Sequence, residues 1–138
     1  MITIYSDSKT IYDPRIEKLQ LEDAELSQAK NKAGTLKFII PTDHEYADLA
    51  ITPGVTRVTV KEDDETLFKG RIIKNNPDFW GDTEHTAEGD LAYLNDTIVR
   101  PYEFSGSPRE YFTFLITQHN AQVEKERQFV VGNITVSD

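Results

Sequence analysis

The chain has 138 residues, of which 38% are hydrophobic and 28% charged, so it can form one folded domain with a sizeable core. Its formal net charge of -9 comes from acidic residues along the whole length, and the basic stripe of a duplex-binding protein is missing. The absence of cysteine excludes disulfides, thiolate metal sites and cysteine nucleophiles. No stretch approaches the roughly 18 apolar residues that cross a bilayer, so we expect no stable membrane binding.

Short β-like runs separated by turn residues dominate the first half of the chain. ITIY (2–5) and TIYD (10–13) have hairpin spacing. Residues 16–30 carry two period-2 runs with a slip between them, which favours two β segments joined by a bulge over the helix that the same residues could form. LKFIIP (36–41) predicts a strand closed by its proline, and residues 42–54 predict one or two helical turns.

The clearest β signal is a hairpin in the middle of the chain. VTRVTV (55–60) and TLFKGRIIK (66–74) flank the acidic turn 62–65, and both carry the apolar residues of a strand. Gly70, inside the second strand, predicts a bulge or a tight barrel corner. A further half-polar strand is predicted over residues 83–94.

The most specific local signature marks the start of a helix. Ser107 at the N-cap, Pro108 at the first helical position and Glu110 form a capping box, which satisfies amides that a helix start leaves unpaired. Apolar residues follow at helical spacing, so we predict a helix over residues 108–123. FVVGNITVSD (129–138) predicts a strand, and because the chain ends directly after it we expect an amino-terminal part of a longer protein.

These elements predict a mainly β fold, β-barrel-like, with one C-terminal α-helix, and α+β overall. The predicted domains are a barrel over residues 1–104 and a helix plus strand over residues 105–138 that begins the next unit. Asn95, Asp96 and Arg100 lie near this boundary. We expect them either to form a polar joint, with Arg100 paired to a carboxylate, or to belong to a partner interface.

The residue types that usually carry chemistry are scattered along the chain. His44, His85 and His119 lie far apart without a second ligand at helix or strand spacing, so we expect no metal site. His119 falls on the apolar stripe of the predicted helix and is expected to be a packing histidine. The acidic pairs fall on turns or exposed segments, the glycines are dispersed, and no serine lies in a nucleophile motif. We therefore predict no catalytic site, no cofactor and no enzymatic activity in this chain.

Aromatic residues outside the predicted strands are candidates for a partner interface. Phe79 and Trp80 are adjacent in a loop between Pro77 and Gly81, where both rings cannot face one core. Tryptophan is also frequent in interface hot spots. The candidate interface residues are Phe79, Trp80, Arg100, Tyr102 and Phe104.

The ordered series of segments resembles one known family. The similar stretches are NKAGTLKFIIP (31–41), RVTVKEDDETLFKGRI (57–72), AEGDLAYLNDTIVRPYEFSGS (87–107), REYFTFLITQHNAQVEKERQF (109–129) and VGNITVSD (131–138). In their order and spacing they resemble the amino-terminal region of phage tail proteins of the prophage endopeptidase-tail family. These are tail-associated hub proteins of siphophages and prophages of Gram-positive bacteria.

The resemblance implies a structural role in a virion. Proteins of this kind have small β-barrels joined by helical segments, and they form a homotrimeric ring at the tail tip beneath the distal tail protein. The implied partners are the distal tail and tape-measure proteins, with DNA only as passing cargo. The implied location is the virion tail tip, after synthesis in the bacterial host cytoplasm.

Two other functions remain open from the sequence. The chain could be the leading domain of a peptidoglycan-cleaving tail endopeptidase, whose lytic domain would lie outside these residues. It could also be a free-standing carbohydrate-binding β module, as Trp80 and the tyrosines suggest.

Overall fold

A computed structural model of the chain describes residues 1–135. With 34% strand and 17% helix, it confirms a mainly β fold with one main helix near the C-terminus. The chain divides into two compact units, Met1–Leu91 (the β unit) and Ala92–Asp138 (the helical unit). The sequence prediction extended the barrel-like domain to about residue 104. Within the described residues no helix is long and apolar enough to span a membrane.

The β unit is one curled, antiparallel, seven-stranded sheet that forms a half-barrel. Its strands in chain order are β1 Ile2–Ser6, β2 Lys9–Tyr12, β3 Glu22–Ser27, β4 Thr35–Ile39, β5 Arg57–Glu62, β6 Glu65–Pro77 and β7 Thr83–Gly89. Their order across the sheet is β2-β1-β5-β6-β7-β4-β3. The two predicted hairpins are confirmed as β1–β2 and β5–β6, and the strand predicted at 36–41 is confirmed as β4.

The core follows from period-2 alternation along the central strands. In β4, Leu36 and Phe38 are buried while Lys37 between them is exposed, and in β5 the same alternation buries Val58 and Val60. Successive side chains of a strand point to opposite faces, so each strand contributes one apolar row to the same core. The largest fully buried side chains are Phe38, Ile11, Leu36, Ile72 and Val58.

Two glycines allow close backbone contacts in the half-barrel. Gly70 on β6 lies opposite Gly89 on β7, and a Cβ at Gly89 would fall on the carbonyl oxygen of Ala33. A Cβ at Gly70 would fall on the carbonyl oxygen of Glu88. Gly70 itself stays in register with both neighbouring strands, and the nearby irregularity of β6 lies between Ile72 and Lys74. Gly70 therefore marks a tight approach of two strands and not the bulge that was the other prediction.

The prediction of two β segments over residues 16–30 is wrong, since only β3 forms there. Its pairing with β4 is irregular between Glu22 and Glu25. The preceding residues are held in turns by side chains: the Gln20 amide donates to the carbonyl oxygens of Asp13 (2.9 Å) and Ile16 (2.7 Å). These bonds satisfy backbone groups that a strand would pair with a neighbour.

Two other segments also differ from the sequence prediction. Residues 42–54 form successive turns and no helix. In these turns the amides of His44, Ala47 and Leu49 each donate a hydrogen bond to the carbonyl oxygen three residues earlier. The strand predicted to end at residue 94 ends at Gly89, and a 3₁₀ helix, Asp90–Asp96, follows. The Asp90 carboxylate, which begins this helix, accepts two hydrogen bonds from Arg57 on β5, at 2.9 and 2.8 Å.

The helical unit contains α1 Pro108–Asn120, which confirms the predicted helix and its capping box. The Ser107 hydroxyl accepts from the Glu110 amide (3.2 Å), and the Glu110 carboxylate accepts from the Ser107 amide (3.0 Å). Ile116 and His119 are buried on the helix, whereas Tyr111 and Phe112 of the predicted stripe are exposed. A short 3₁₀ helix, Lys125–Arg127, follows α1.

The strand predicted over residues 129–138 is wrong for residues 129–135, and residues 136–138 lie outside the described part of the chain. The Asn120 side chain accepts from the Phe129 amide (2.9 Å) and donates to the Phe129 carbonyl oxygen (2.7 Å). Arg109 donates to the carbonyl oxygen of Gly132 (3.0 Å). Side chains of α1 thus pair backbone groups that a β ladder would otherwise use.

Candidate functional site

The predicted interface residues fall into two groups, one in each unit. Phe79 and Trp80 lie in the β unit and are 91% and 83% exposed. Arg100, Tyr102 and Phe104 lie in the helical unit and are also exposed. Large apolar side chains at such exposure are unusual on a monomeric protein when they are grouped, and they indicate interaction sites.

The loop between β6 and β7, residues 78–82 (the aromatic loop), is closed by its own hydrogen bonds. The Asp78 carboxylate accepts from the amides of Trp80 (2.8 Å) and Asp82 (3.0 Å), and the Asp78 amide donates to the Asp82 carbonyl oxygen (2.7 Å). Gly81 provides the positive φ, +91°, that the turn requires. The rings of Phe79 and Trp80 meet edge to face, with centroids 5.3 Å apart and planes at 89°. The loop therefore holds two aromatic rings out in solvent.

Beside this loop is a groove of about 420 Å³ (the polar groove). The turns that follow β4 form one wall, and the facing ends of β6 and β7 form the other. Its polar side chains are Thr42, Asp48, Asn75, Asp82, Thr83 and His85. Gly81 and Asp82 of the aromatic loop line the groove, so the groove adjoins the loop that carries the two exposed rings.

Asn75 fixes the orientation and the tautomer of His85. The Asn75 amide nitrogen donates to the Ile51 carbonyl oxygen (2.7 Å), so its amide oxygen faces His85 Nδ1 (2.8 Å) and accepts a hydrogen bond from it. Burial lowers the pKa of His85 below its ordinary value of 6.5, which keeps the ring neutral at neutral pH. The ring also packs against Phe38, with centroids 5.3 Å apart. The imidazole thus adds no positive charge to the groove.

The segments that supply the groove and the loop are acidic. Residues 38–56 and 75–91 contain no Lys or Arg, although Lys37 and Lys74 immediately precede them. Two nearby cations have partners: Lys9 lies over the Tyr46 ring, and Arg57 pairs with Asp90. Within residues 1–135 the carboxylates of Asp48 and Asp82 have no ion pair or side-chain hydrogen bond. The acidic residues of these two segments are Asp43, Glu45, Asp48, Asp78, Asp82, Glu84, Glu88 and Asp90.

In the helical unit, four aromatic rings form a cluster on α1 and the segment before it. Tyr102 and Phe104 each contact Tyr111 and Phe114, with centroids 5.1 to 6.1 Å apart. The hydroxyls of Tyr102 and Tyr111 share a hydrogen bond, which raises the pKa of Tyr102. Arg100 lines a groove of about 750 Å³ next to this cluster. The cluster remains partly exposed.

The polar cluster predicted around Asn95, Asp96 and Arg100 is not assembled as expected. Asp96 pairs with Arg127 at 3.2 Å, and Arg127 also lies over the Tyr93 ring. Arg100 forms no ion pair within residues 1–135, so the prediction of a carboxylate partner for it is wrong. The cation that pairs with Asp96 is therefore Arg127, which lies 31 positions further along the chain. Sequence periodicity does not indicate a pair so far apart.

The histidines are bound by protein groups. His119 is buried between the Thr97 hydroxyl at Nδ1 (2.8 Å) and the Arg127 carbonyl oxygen at Nε2 (2.8 Å), as expected of a packing histidine. His44 is buried as well, and its Nε2 contacts the Ile11 carbonyl oxygen at 2.6 Å. In the part of the chain that the structure describes, no group of three or more His, Asp or Glu residues could hold a metal ion.

Comparison with known proteins gives no assignment. No protein-family model matches the chain, and no curated protein matches it at a significant level of sequence similarity. The functional argument therefore rests on the residues and surfaces described above, together with the resemblance of the ordered segments.

Proposed function

We propose that this chain is a structural component of a phage or prophage tail tip, a baseplate hub protein that acts by assembling with other tail proteins. The observation that carries the proposal is the exposure of large apolar side chains on ordered backbone in both units. Phe79, Trp80, Ile98 and Val130 are each at least 77% exposed. Burying such residues is the main source of free energy in protein association.

In this proposal the chain contributes to a homotrimeric ring beneath the distal tail protein, and it contacts the tape-measure protein. Closed symmetric rings form when one surface of a subunit fits a different surface of the next. The net charge of -9 suits a ring through which DNA passes, because like charges repel and DNA would not adhere to the wall. The chain has no catalytic role in this proposal and requires no cofactor.

Immunoelectron microscopy of tails tests this function. Antibodies raised against the chain should label one end of each tail, at the tip, in particles from the strain that encodes it. Antibody first absorbed with the purified chain is the control and should give no label. Tails without label, or with label along the whole tube, would contradict a tail-tip component.

The oligomeric state gives a second test. We expect the chain alone to be monomeric or weakly associated, because a hub ring uses several domains of each subunit, whereas the full-length gene product should be trimeric. Light scattering during gel filtration measures both masses. A monomeric full-length product would contradict the ring.

The two other functions make different predictions. If the chain were the leading domain of a peptidoglycan-cleaving endopeptidase, the full-length product would lyse cell walls, while the chain alone would not. A carbohydrate-binding module is favoured by one observation: the exposed Trp80 lies on the loop whose Gly81 and Asp82 line the polar groove. Binding to a glycan array that is lost in Trp80→Ala would favour that function over a hub.

A further inference from the structure

We propose that the aromatic loop and the polar groove form a docking site for an extended, arginine-containing segment of another protein. This inference goes beyond the proposed function and stands on the surface of the β unit alone. It would hold for any assembly in which the chain takes part.

The loop is a suitable anchor because hydrogen bonds within it close its backbone. Both bonds to the Asp78 carboxylate lie within the loop, at 2.8 and 3.0 Å. A partner that covers Phe79 and Trp80 therefore loses little free energy to loop ordering, which is a large cost of binding to flexible loops. Exposed aromatic residues of this kind are frequent hot spots.

The groove determines the chemistry of the partner. Its charged groups are the carboxylates of Asp48 and Asp82, which accept hydrogen bonds and form no ion pair within residues 1–135. His85 lines the same groove with its Nδ1–H donated to the Asn75 amide oxygen, and burial lowers its pKa, so the ring is neutral at neutral pH. No Lys or Arg lines the groove. A ligand that complements these walls must donate hydrogen bonds and carry positive charge.

Among the cationic groups, the guanidinium of arginine fits this surface better than the ammonium of lysine. It is planar, so it can stack on the face of Trp80, and its fixed donors can bind a carboxylate in a bidentate way. A groove of about 420 Å³ has the volume of a side-chain pocket rather than of a whole domain interface. Phosphate-bearing partners, such as nucleic acids or anionic membranes, would be repelled by the acidic walls.

Trp80 is the only tryptophan of the chain, so its fluorescence reports on this loop without interference. The probe is a short peptide that contains two arginines and has acetylated and amidated termini, so that its ends carry no charge. Its matched control is the same peptide with citrulline at both positions. Citrulline keeps the shape of arginine and removes the charge. We expect a saturable change in Trp80 fluorescence with the arginine peptide, and binding at least about tenfold weaker with the citrulline peptide.

Variants of the chain test the two parts of the site separately. The double variant Asp48→Asn with Asp82→Asn keeps the shape of the groove and should weaken arginine-peptide binding about tenfold or more. Asp64→Asn with Glu65→Gln removes the same charge from the exposed β5–β6 turn and should leave binding nearly unchanged. Phe79→Ala should also weaken binding while retaining the tryptophan reporter. Circular dichroism confirms that each variant is folded.

Several outcomes would overturn the proposal. Equal binding of the arginine and citrulline peptides would show that charge does not select the partner. If the arginine peptide caused no change in Trp80 fluorescence at low salt, the surface would not be a docking site for arginine-containing segments. A response of Trp80 to chitin oligosaccharides, with none to the arginine peptide, would assign the surface to glycans. None of these results decides whether the chain lies at a tail tip, so the hub proposal is tested independently.

Discussion

The β unit and the helical unit of this chain are stabilised in different ways. The β unit has a contiguous apolar core, in which Phe38, Ile11 and Ile72 are completely buried. In the helical unit, Ile116 is buried, whereas the aromatic side chains of Tyr102, Phe104 and Phe112 remain 38 to 44% exposed. The β unit therefore gains its stability from burial, and the helical unit leaves much of its apolar surface in contact with water.

Hydrogen bonding differs between the units as well. In the β unit the strands pair along ladders of backbone hydrogen bonds, which depend little on side-chain identity. In the helical unit individual polar side chains hold the segment that follows α1: Asn120 binds Phe129, His119 binds the Arg127 carbonyl oxygen, and Arg109 binds Gly132. Apolar truncation should therefore destabilise the β unit most, and loss of single polar groups should destabilise the helical unit most.

The largest effect is expected for Phe38→Ala. This side chain is completely buried in β4, so its removal leaves a cavity and should lower the free energy of unfolding by about 3 to 5 kcal/mol. Urea denaturation followed by circular dichroism measures the loss. Val55→Ala, at a side chain 72% exposed, is the matched control and should change stability by less than about 0.5 kcal/mol. A loss below about 1 kcal/mol for Phe38→Ala would break the contrast between the units.

A smaller effect, confined to the helical unit, is expected for Asn120→Ala. The substitution leaves the amide and the carbonyl oxygen of Phe129 without their partner, at a cost of about 1 to 3 kcal/mol. Hydrogen exchange should become faster at Phe129 and its neighbours, with no change in β4. Asn120→Asp keeps the acceptor for the Phe129 amide and loses the donor to the Phe129 carbonyl oxygen. The Phe129 amide should therefore exchange more slowly in Asn120→Asp than in Asn120→Ala. Faster exchange throughout both units would contradict a local role.

The capping box provides a prediction of similar or smaller size. Ser107→Ala removes the acceptor of the Glu110 amide and should destabilise α1 by about 0.5 to 2 kcal/mol. Ser107→Asp, which keeps an acceptor at the N-cap, should retain most of the helix signal in circular dichroism. If both variants lost the same amount of helix, the cap would not be the cause.

Much of the fold could be predicted from the sequence because its signals are local. The capping box joins residues three positions apart, and the β5–β6 hairpin joins two adjacent runs of apolar residues. The turns before β3 could not be predicted, because the Gln20 amide that holds them leaves no periodic pattern. The apolar run after α1 suggested a strand for a similar reason: nothing in its own pattern shows that Asn120 binds its backbone.

The candidate site was predictable only in part. Two adjacent aromatic residues between a proline and a glycine indicated an exposed loop, and Phe79 and Trp80 are exposed as expected. The polar groove beside them joins residues about 30 positions apart, such as Asp48 and Asp82, because β7 lies next to β4 in the sheet. Periodicity identifies strands but does not give their order across a sheet, so the groove had no signal in the sequence.

The smallest effect is expected in the β unit at the turn around Asp13, where polar side chains hold the backbone as they do in the helical unit. Arg15 donates to the Asp13 carboxylate from Nε (3.0 Å) and Nη2 (2.8 Å), and these bonds lower the Asp13 pKa from 3.8 to about 2. A lowered pKa in the folded state stabilises the fold above pH 3.8, and this contribution is lost as the pH falls towards 2. Since the Arg15 side chain is 68% exposed, solvent weakens the pair.

Arg15→Gln should therefore raise the pKa of Asp13 and lower stability at neutral pH by a small amount. The difference in stability between the two proteins should shrink between pH 3.8 and about 2, where Asp13 becomes protonated in both. Carboxyl chemical shifts measured by NMR give the pKa, and thermal unfolding at neutral and acidic pH gives the stability. Glu17→Gln, another exposed charge change in the same turn, is the control and should leave the Asp13 pKa nearly unchanged. A stability difference as large at pH 2 as at neutral pH would show that Arg15 acts through packing of its side chain rather than through the ion pair.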